Sequence, residues 1–502
     1  MLRDLLTVPE FAAQPMVYAL TDINPRNLDM AVQLCRHEVS ENKLPTVIES
    51  HADRRRAVAD ADYIICAIRQ GGLEAFATDV DIPLKYGVDQ CVGDTICAGG
   101  IMYAQRTIPA MLDFCKDIRE VSKPGALFIN YSNPMAMNTW ACNKYGRVQT
   151  VGLCHGVEGG WAQIDQALSR LRGDPDIDWH DYPARRQRTQ IICAGINHQT
   201  WYTKILYKGE EISSAELLRA FEAHPHFAKT EKVRIDVLRR FGYYSTESNG
   251  HLSEYLPWYR KRPDEIAQWI DTSSWIHGET GGYLRICTEG RNWFDTDFPN
   301  MLKQEVPVLT GPNQTYRRSS EHGSWIIEAL ETGRIYRGHF NVQNKGHITN
   351  LPDDCTIEIP GYVDATGIHM PVYGELPLGC AATCSASANV QRMGMEAAVH
   401  GDLDLLRLAM LHDPLVGAVC NPEEVWQMTD EMLVAQARWL PNFAKHIDGA
   451  KQRLADHERN GTRVKLRDTR GAVRIEVKTV EKMQQDREKA RQLAATQDKG
   501  GL

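Results

Sequence analysis

The chain has 502 residues, 43% of them hydrophobic and 24% charged, and its formal net charge is −8. That length is too great for one ordinary domain, corresponding to about three small domains or two large ones, and the apolar content excludes a wholly disordered chain. No apolar run approaches the ~20 residues of a membrane-spanning helix, and the mild acidity argues against a nucleic-acid binder, which concentrates basic charge on one face.

In chain order, the opening Met1-Leu-Arg-Asp-Leu-Leu-Thr has no basic flank followed by an apolar core, so it does not read as a secretory signal. Residues 16–22 read as a short buried strand ending in Asp22, and 25–41 as a helix with Leu28, Met30, Leu34 and Cys35 on its apolar face. Thr46–Glu49 is a second apolar run and Asp62–Ile68 a third, closed by Gly71-Gly72. Although the chain holds 38 glycines, none precedes Gly71. A helix is predicted over 99–114, then buried strands over 126–130 and 149–154. Short apolar strands alternating with amphipathic helices predict a parallel sheet covered on both faces.

From about residue 190 aromatic and polar residues mix. Helices are predicted over 231–241, 252–271 and 319–332, a strand pair over 335–342 and 355–363, and a helical segment over 388–449. Beyond 450 the chain turns basic, with 14 Lys/Arg against 8 Asp/Glu in Lys451–Leu502. Because both signs are interspersed, this tail reads as a solvated helical or frayed extension rather than a nucleic-acid or partner tail. Thirteen cysteines scattered singly make no disulfide framework, and most read as small buried hydrophobes. A cytoplasmic globular protein is predicted.

Few residues draw attention for chemistry. Asp22, at a strand end, is placed to accept hydrogen bonds from an adenosine ribose, and equally to cap the turn at Asn24-Pro25. Asn133-Pro134 ends a buried strand and presents an amide in the crevice where α/β sheets bind ligands, or is an ordinary turn. Cys154 and His198, each at an apparent strand end, can together hold a divalent transition metal with open positions. Their spacing matches no closed structural zinc site.

Taken in order, several runs resemble glycoside hydrolase family 4. They are Asp94-Thr…Gly99-Gly100-Ile101-Met102…Arg106-Thr107-Ile108-Pro109, Asn133-Pro-Met-Ala-Met-Asn-Thr-Trp140-Ala141, Val151-Gly-Leu-Cys154-His155 and Gly195-Ile-Asn197-His198. Thr246-Glu247-Ser…His251-Leu-Ser-Glu254-Tyr255-Leu-Pro257-Trp258 is most similar to the α-galactosidase (melibiase) branch, with α-galacturonidases nearly as close. The resemblance implies an α/β fold: a Rossmann-like, malate/lactate dehydrogenase-like parallel sheet over 1–190, then an α+β substrate and metal domain over 191–449. Residues 450–502 lie outside it.

The same resemblance implies an NAD-dependent hydrolysis that departs from the usual two-carboxylate scheme. NAD⁺ oxidises C3 of the sugar, a base removes the acidified C2 proton, and the glycosidic oxygen leaves by elimination. Water then adds and the hydride returns. Cys154 and His198 would ligate Mn²⁺ or a similar divalent ion. His155 would protonate the leaving group and Tyr255 would be the C2 base, with Tyr243, Tyr244 and Tyr259 nearby as alternatives. Asn133 and Asn197 would bind sugar hydroxyls and Asp22 the adenosine ribose. A homo-oligomer, dimer or tetramer, is expected, with no membrane or nucleic-acid partner. Cys97-Ala98-Gly99-Gly100 stands where relatives read Gly-Pro-Gly-Gly, and Tyr103 and Gln105 are atypical. The family's first strand and Gly-x-Gly-Ser phosphate turn are missing ahead of Leu2-Arg-Asp-Leu-Leu, which reads as the remainder of the helix after that turn. A start further upstream is expected.

Competing expectations are an α-galacturonidase or α-glucosidase of the same family, a malate/lactate dehydrogenase-type oxidoreductase, and an inactive sugar-binding relic without the phosphate turn. The Cys154/His198 pair discriminates against the oxidoreductase, since 2-hydroxy-acid oxidation needs no such pair.

Overall fold

The short apolar runs of the N-terminal half fold as parallel strands. In the computed structural model, which describes residues 1–272, 278–469 and 472–497, β1 (Val17–Leu20) and β2 (Val47–Ser50) pair in parallel around the helix Pro25–Glu41. That helix begins where the sequence dictates. The Asn24 side chain accepts the Arg26 and Asn27 N–H groups and Pro25 occupies the first turn, satisfying donors that a helix start leaves open. β3 (Tyr63–Cys66), β4 (Leu127–Asn130) and β5 (Thr150–Gly152) form a second parallel set. Leu2–Leu6 is helical, as expected.

The sheet is not wholly parallel. β1 and β2 stand as a separate two-stranded sheet, and the main sheet runs β3-β4-β5-β10-β11-β6-β7-β8. Beyond β5 it turns antiparallel, built from β6 (Thr189–Ile196), β7 (Gln199–Tyr207), β8 (Glu210–Glu211), β10 (Tyr336–Gln343) and β11 (Thr356–Asp364). β9 (Tyr244–Ser245) pairs with β7, and β12 (Gly367–His369) with β11. The reason is local. β6 and β7 are joined by Asn197 and His198 alone, and a two-residue connection permits only an antiparallel return.

Two expectations need correction. The helix predicted over 252–271 is only Asn249–Tyr255, followed by a short helix over Pro263–Ile266. Leu256, held extended at φ −115° and ψ 119°, precedes Pro257, and a residue before proline is pushed out of helical conformation. The basic tail matches the expected solvated helical extension only in part: Val480–Gln497 is a helix whose residues 480–489 are mostly exposed, but the stretch before it is packed on the body. The helix Ala444–Asn460 runs through residue 450, and the chain then returns across the body. There Val464 packs on the core, the Arg467 N–H donates to the Lys85 carbonyl, and Arg474 pairs with Asp81.

The largest core cluster gathers around the helices Cys97–Val121, Leu403–His412 and Pro422–Ala435, with Ile101, Met102, Leu406, Met410, Met428 and Met432 all fully buried. Among the described residues no helix is long and apolar enough to cross a membrane.

Candidate metal centre and active site

Three tight pieces of backbone bring the site together. The β6–β7 turn presents His198, its second residue, at φ 62°, a left-handed conformation that bulky residues seldom adopt. β5 delivers Cys154 to the start of the helix Gly156–Arg172. The double glycine Gly99-Gly100 lets its helix press on the preceding loop. A Cβ at Gly99 would lie 2.5 Å from the Gly93 carbonyl oxygen, and one at Gly100 would lie 2.4 Å from the Thr95 carbonyl carbon. That contact sets Asp94 and Thr95 beside His198. Cys97, where the resemblance leads one to expect a glycine, sits at φ 61°, a conformation natural to glycine.

Cys154 Sγ lies 3.2 Å from His198 Nε2, and a Glu247 carboxylate oxygen lies 3.8 Å from the same nitrogen. Ligand atoms of Cys154, His198 and Glu247 all fall within 4.8 Å of one another. Burial, then Glu247 and Glu358, push the Cys154 thiol well above its ordinary range. Burial also pulls His198 down to about 4, which leaves it neutral. A neutral imidazole, a thiol and a carboxylate on one point fit a divalent transition-metal ion, whose charge would favour the thiolate.

His198 is held from behind by two chains. Its Nδ1 lies 3.0 Å from Thr95 Oγ1, which donates to Asp94; Asp94 in turn pairs with Arg69 and accepts from Asn133 Nδ2 at 3.2 Å. His198 Nδ1 also lies 2.9 Å from His251 Nε2, and His251 Nδ1 meets the Glu254 carboxylate at 2.5 Å. Glu254, fully buried, accepts the Val92 and Gly93 N–H groups with its other oxygen. Burial alone would lower the His251 pKa, but Glu254 outweighs it and the net shift is upward. A metal-binding histidine whose second nitrogen is tied to a carboxylate is fixed in orientation and tautomer.

Asn133, Asn197, Cys154, His198 and Tyr255 thus fall in one network. Tyr255 is buried, donates to the Asn197 carbonyl at 3.3 Å and sets its ring edge-on to His251. Burial holds its pKa well above the ordinary range. His155 stands at the helix start, stacked on Tyr131, with Nε2 2.7 Å from Glu321. Glu321 raises its pKa against the opposing effect of burial. Asp22 lies apart, exposed at the end of β1, where its carboxylate accepts the Asn24 N–H.

Sequence reasoning assigned no role to Asp94, Glu247, His251, Glu254 or Glu321. The His251/Glu254 spacing of three residues, which puts both on one helix face, was a usable signal. It also missed a buried polar layer behind Cys154. Glu358 accepts from Asn197 Nδ2 at 3.4 Å, and Glu158 lies 3.0 Å from His322 Nε2 and 3.9 Å from His339 Nδ1. Burial, reinforced by Glu158, raises the Glu358 pKa to about 8.

Residues 1–170 match the family 4 glycosyl hydrolase family, and residues 193–416 match the family 4 glycosyl hydrolase C-terminal domain. The chain is 58% identical over 492 residues to an α-galactosidase of Rhizobium meliloti (strain 1021), covering 98% of this chain and 95% of that protein. The chain is a family 4 glycosyl hydrolase. An α-galactosidase of Bacillus subtilis (strain 168) is 33% identical over 430 residues, 85% of this chain and 92% of its own. Among solved structures, a putative glucosidase from Bacillus subtilis superposes with a TM-score of 0.72 at 23% identity, over 86% of this chain and 96% of that one. A 6-phospho-β-glucosidase from Thermotoga maritima, solved with manganese, NAD⁺ and glucose-6-phosphate, gives 0.67 at 21% identity, over 87% and 95%. Both share the fold of this family 4 enzyme, with its parallel β3-β4-β5 core.

Proposed function

We propose that this family 4 enzyme hydrolyses α-galactosides with NAD⁺ and Mn²⁺, or a similar divalent ion. The observation that carries the reading is the convergence of Cys154 and His198, 3.2 Å apart, in a chain 58% identical to an α-galactosidase. Oxidation of a 2-hydroxy acid gives no reason for that pair. When bound, NAD⁺ supplies reversible oxidation of the sugar at C3 and the ion supplies Lewis acidity, which together acidify the C2 proton.

The protein's own groups then have distinct tasks. Cys154 and His198 hold the ion. Asn133, oriented by Asp94, and Asn197 take sugar hydroxyls. Asp22 fits the adenosine ribose, since among the described residues its exposed carboxylate accepts only the Asn24 N–H. His155, whose protonated form Glu321 favours, gives its proton to the leaving oxygen. Tyr255 would take the C2 proton as its phenolate, its phenolic proton having first passed to solvent, a form that burial disfavours and the charge of a bound ion would favour. His251 is unsuited to that task because both its nitrogens are already engaged. Residues 1–190 serve the nucleotide and also lend Asn133, Cys154 and His155 to the sugar and ion site, which 191–449 completes, in a cytoplasmic homo-oligomer.

The test is hydrolysis of an α-galactoside in heavy water with NAD⁺ and Mn²⁺, with α-glucoside and α-galacturonide controls. Deuterium at C2 of released galactose is expected, and Tyr255→Phe removes it. Product that retains its original hydrogen at C2 refutes the mechanism, and faster turnover of a control sugar refutes the specificity.

A further inference from the structure

We propose that Glu247 is a third protein ligand of the divalent ion, so that the free enzyme loads its metal before any sugar arrives. This rests on the metal reading above and adds to it. Donor atoms that share one such ion at ~2.0–2.3 Å stand about 3–4 Å apart. The three pairs here already measure 3.2 Å for Cys154–His198, 3.8 Å for His198–Glu247 and 4.0 Å for Cys154–Glu247. An ion therefore needs the donors to move by only a few tenths of an ångström.

Independent features hold the carboxylate there. Thr246, the preceding residue, is clamped to β7. Its N–H donates to the Thr200 carbonyl at 2.9 Å, its hydroxyl lies 2.7 Å from that of Thr200, and it accepts the Thr200 N–H at 3.2 Å. Gly156 opens the space the carboxylate occupies, since a Cβ there would lie 2.3 Å from Glu247 Oε2. Among the described residues no lysine or arginine pairs with this carboxylate; its recorded partners are the other two donors. A carboxylate aimed at a sulfur that becomes anionic on binding metal is unfavourable without a cation and favourable with one. Two protein donors would leave the ion dependent on sugar oxygens to stay bound. Three make a site that holds metal alone and keeps positions open for substrate.

The experiment is titration of the full-length, sugar-free enzyme with Mn²⁺, followed by electron paramagnetic resonance. Wild type should bind the ion without sugar, and Glu247→Gln should bind it at least about tenfold more weakly. Glu247→Asp should fall between and guards against a misfolded glutamine variant. Gly156→Ala, which removes no donor, should also weaken binding. With Co²⁺ at saturation, the sulfur-to-metal charge-transfer band should persist in Glu247→Gln and vanish in Cys154→Ser. Unchanged Mn²⁺ affinity in Glu247→Gln, beside loss in Cys154→Ser, overturns the proposal and leaves the Cys154/His198 site standing. Failure of wild type to bind Mn²⁺ at all overturns both.

Discussion

Glu254→Gln tests whether the buried chain behind His198 sets its metal-binding form. An ion on His198 Nε2 leaves Nδ1 as the only place for that ring's proton, which then lies between His251 Nε2, 2.9 Å away, and Thr95 Oγ1, 3.0 Å away. A second N–H facing it would repel it, so His251 presents its lone pair there and its own proton sits on Nδ1, donated to Glu254. Glutamine preserves the carbonyl oxygen that the Val92 and Gly93 N–H groups need, which forces its NH₂ toward His251. The NH₂ donates to Nδ1, the His251 proton moves to Nε2, and two donors face each other across 2.9 Å. Loss of a charge-assisted hydrogen bond costs about 1.5–3 kcal/mol, or roughly ten- to hundredfold in affinity. Mn²⁺ titration should show a loss of that size, with a melting temperature close to wild type. Glu254→Leu is a poor substitute, because it strands three buried donors at ~1–3 kcal/mol each, against a typical total stability of ~5–15 kcal/mol. An Mn²⁺ affinity in Glu254→Gln within about twofold of wild type would refute the chain's role.

Other predictions follow from the same geometry. Because Glu321 raises the His155 pKa, the acid form persists to higher pH, so Glu321→Gln should move the alkaline limb of the kcat/KM profile to lower pH. His155→Ala should slow melibiose hydrolysis by about 10²–10⁴-fold, and slow an aryl galactoside with a good leaving group much less; equal losses would contradict the acid role. Glu358 is a carboxyl whose folded pKa, about 8, exceeds its unfolded value near 4.5. The folded state therefore binds the extra proton between those values, and its stability should fall as pH rises through that window. Glu358→Gln should match wild type at pH 5 and exceed it by about 1–2 kcal/mol at pH 8 in urea melts, well under the ceiling of roughly 5 kcal/mol set by 1.36 kcal/mol per pH unit; a difference independent of pH would rule this out. Gly100→Ala forces a Cβ onto the Thr95 backbone and should cost about 1–3 kcal/mol of stability, read in the same melts, with weaker Mn²⁺ binding as Thr95 shifts from His198.

In the parallel half, a strand buried on both faces is legible as a short, uninterrupted apolar run, as at Leu127–Asn130, where every residue is buried; β1 and β2 read the same way in sequence but lie partly exposed. The antiparallel half was less so. β6 and β7 bury the polar residues Thr189, Gln199 and Thr200 among apolar ones, and no alternation of apolar and polar residues marks them. The 252–271 helix was overextended because its apolar spacing continues past Pro257, while the proline's restriction on Leu256 acts on the backbone and leaves hydrophobicity unchanged. The site divides the same way. With thirteen cysteines and seventeen histidines in the chain, type and place at strand ends made Cys154 and His198 only candidates, and the family resemblance singled them out. Glu247 is an ordinary glutamate until β9 pairs with β7 through Trp201–Ser245 and Tyr202–Tyr244. That register carries residue 247 back to the His198 turn, and the missing side chain of Gly156 admits its carboxylate. The third donor is therefore a product of strand register and of an empty volume, and neither is written at position 247.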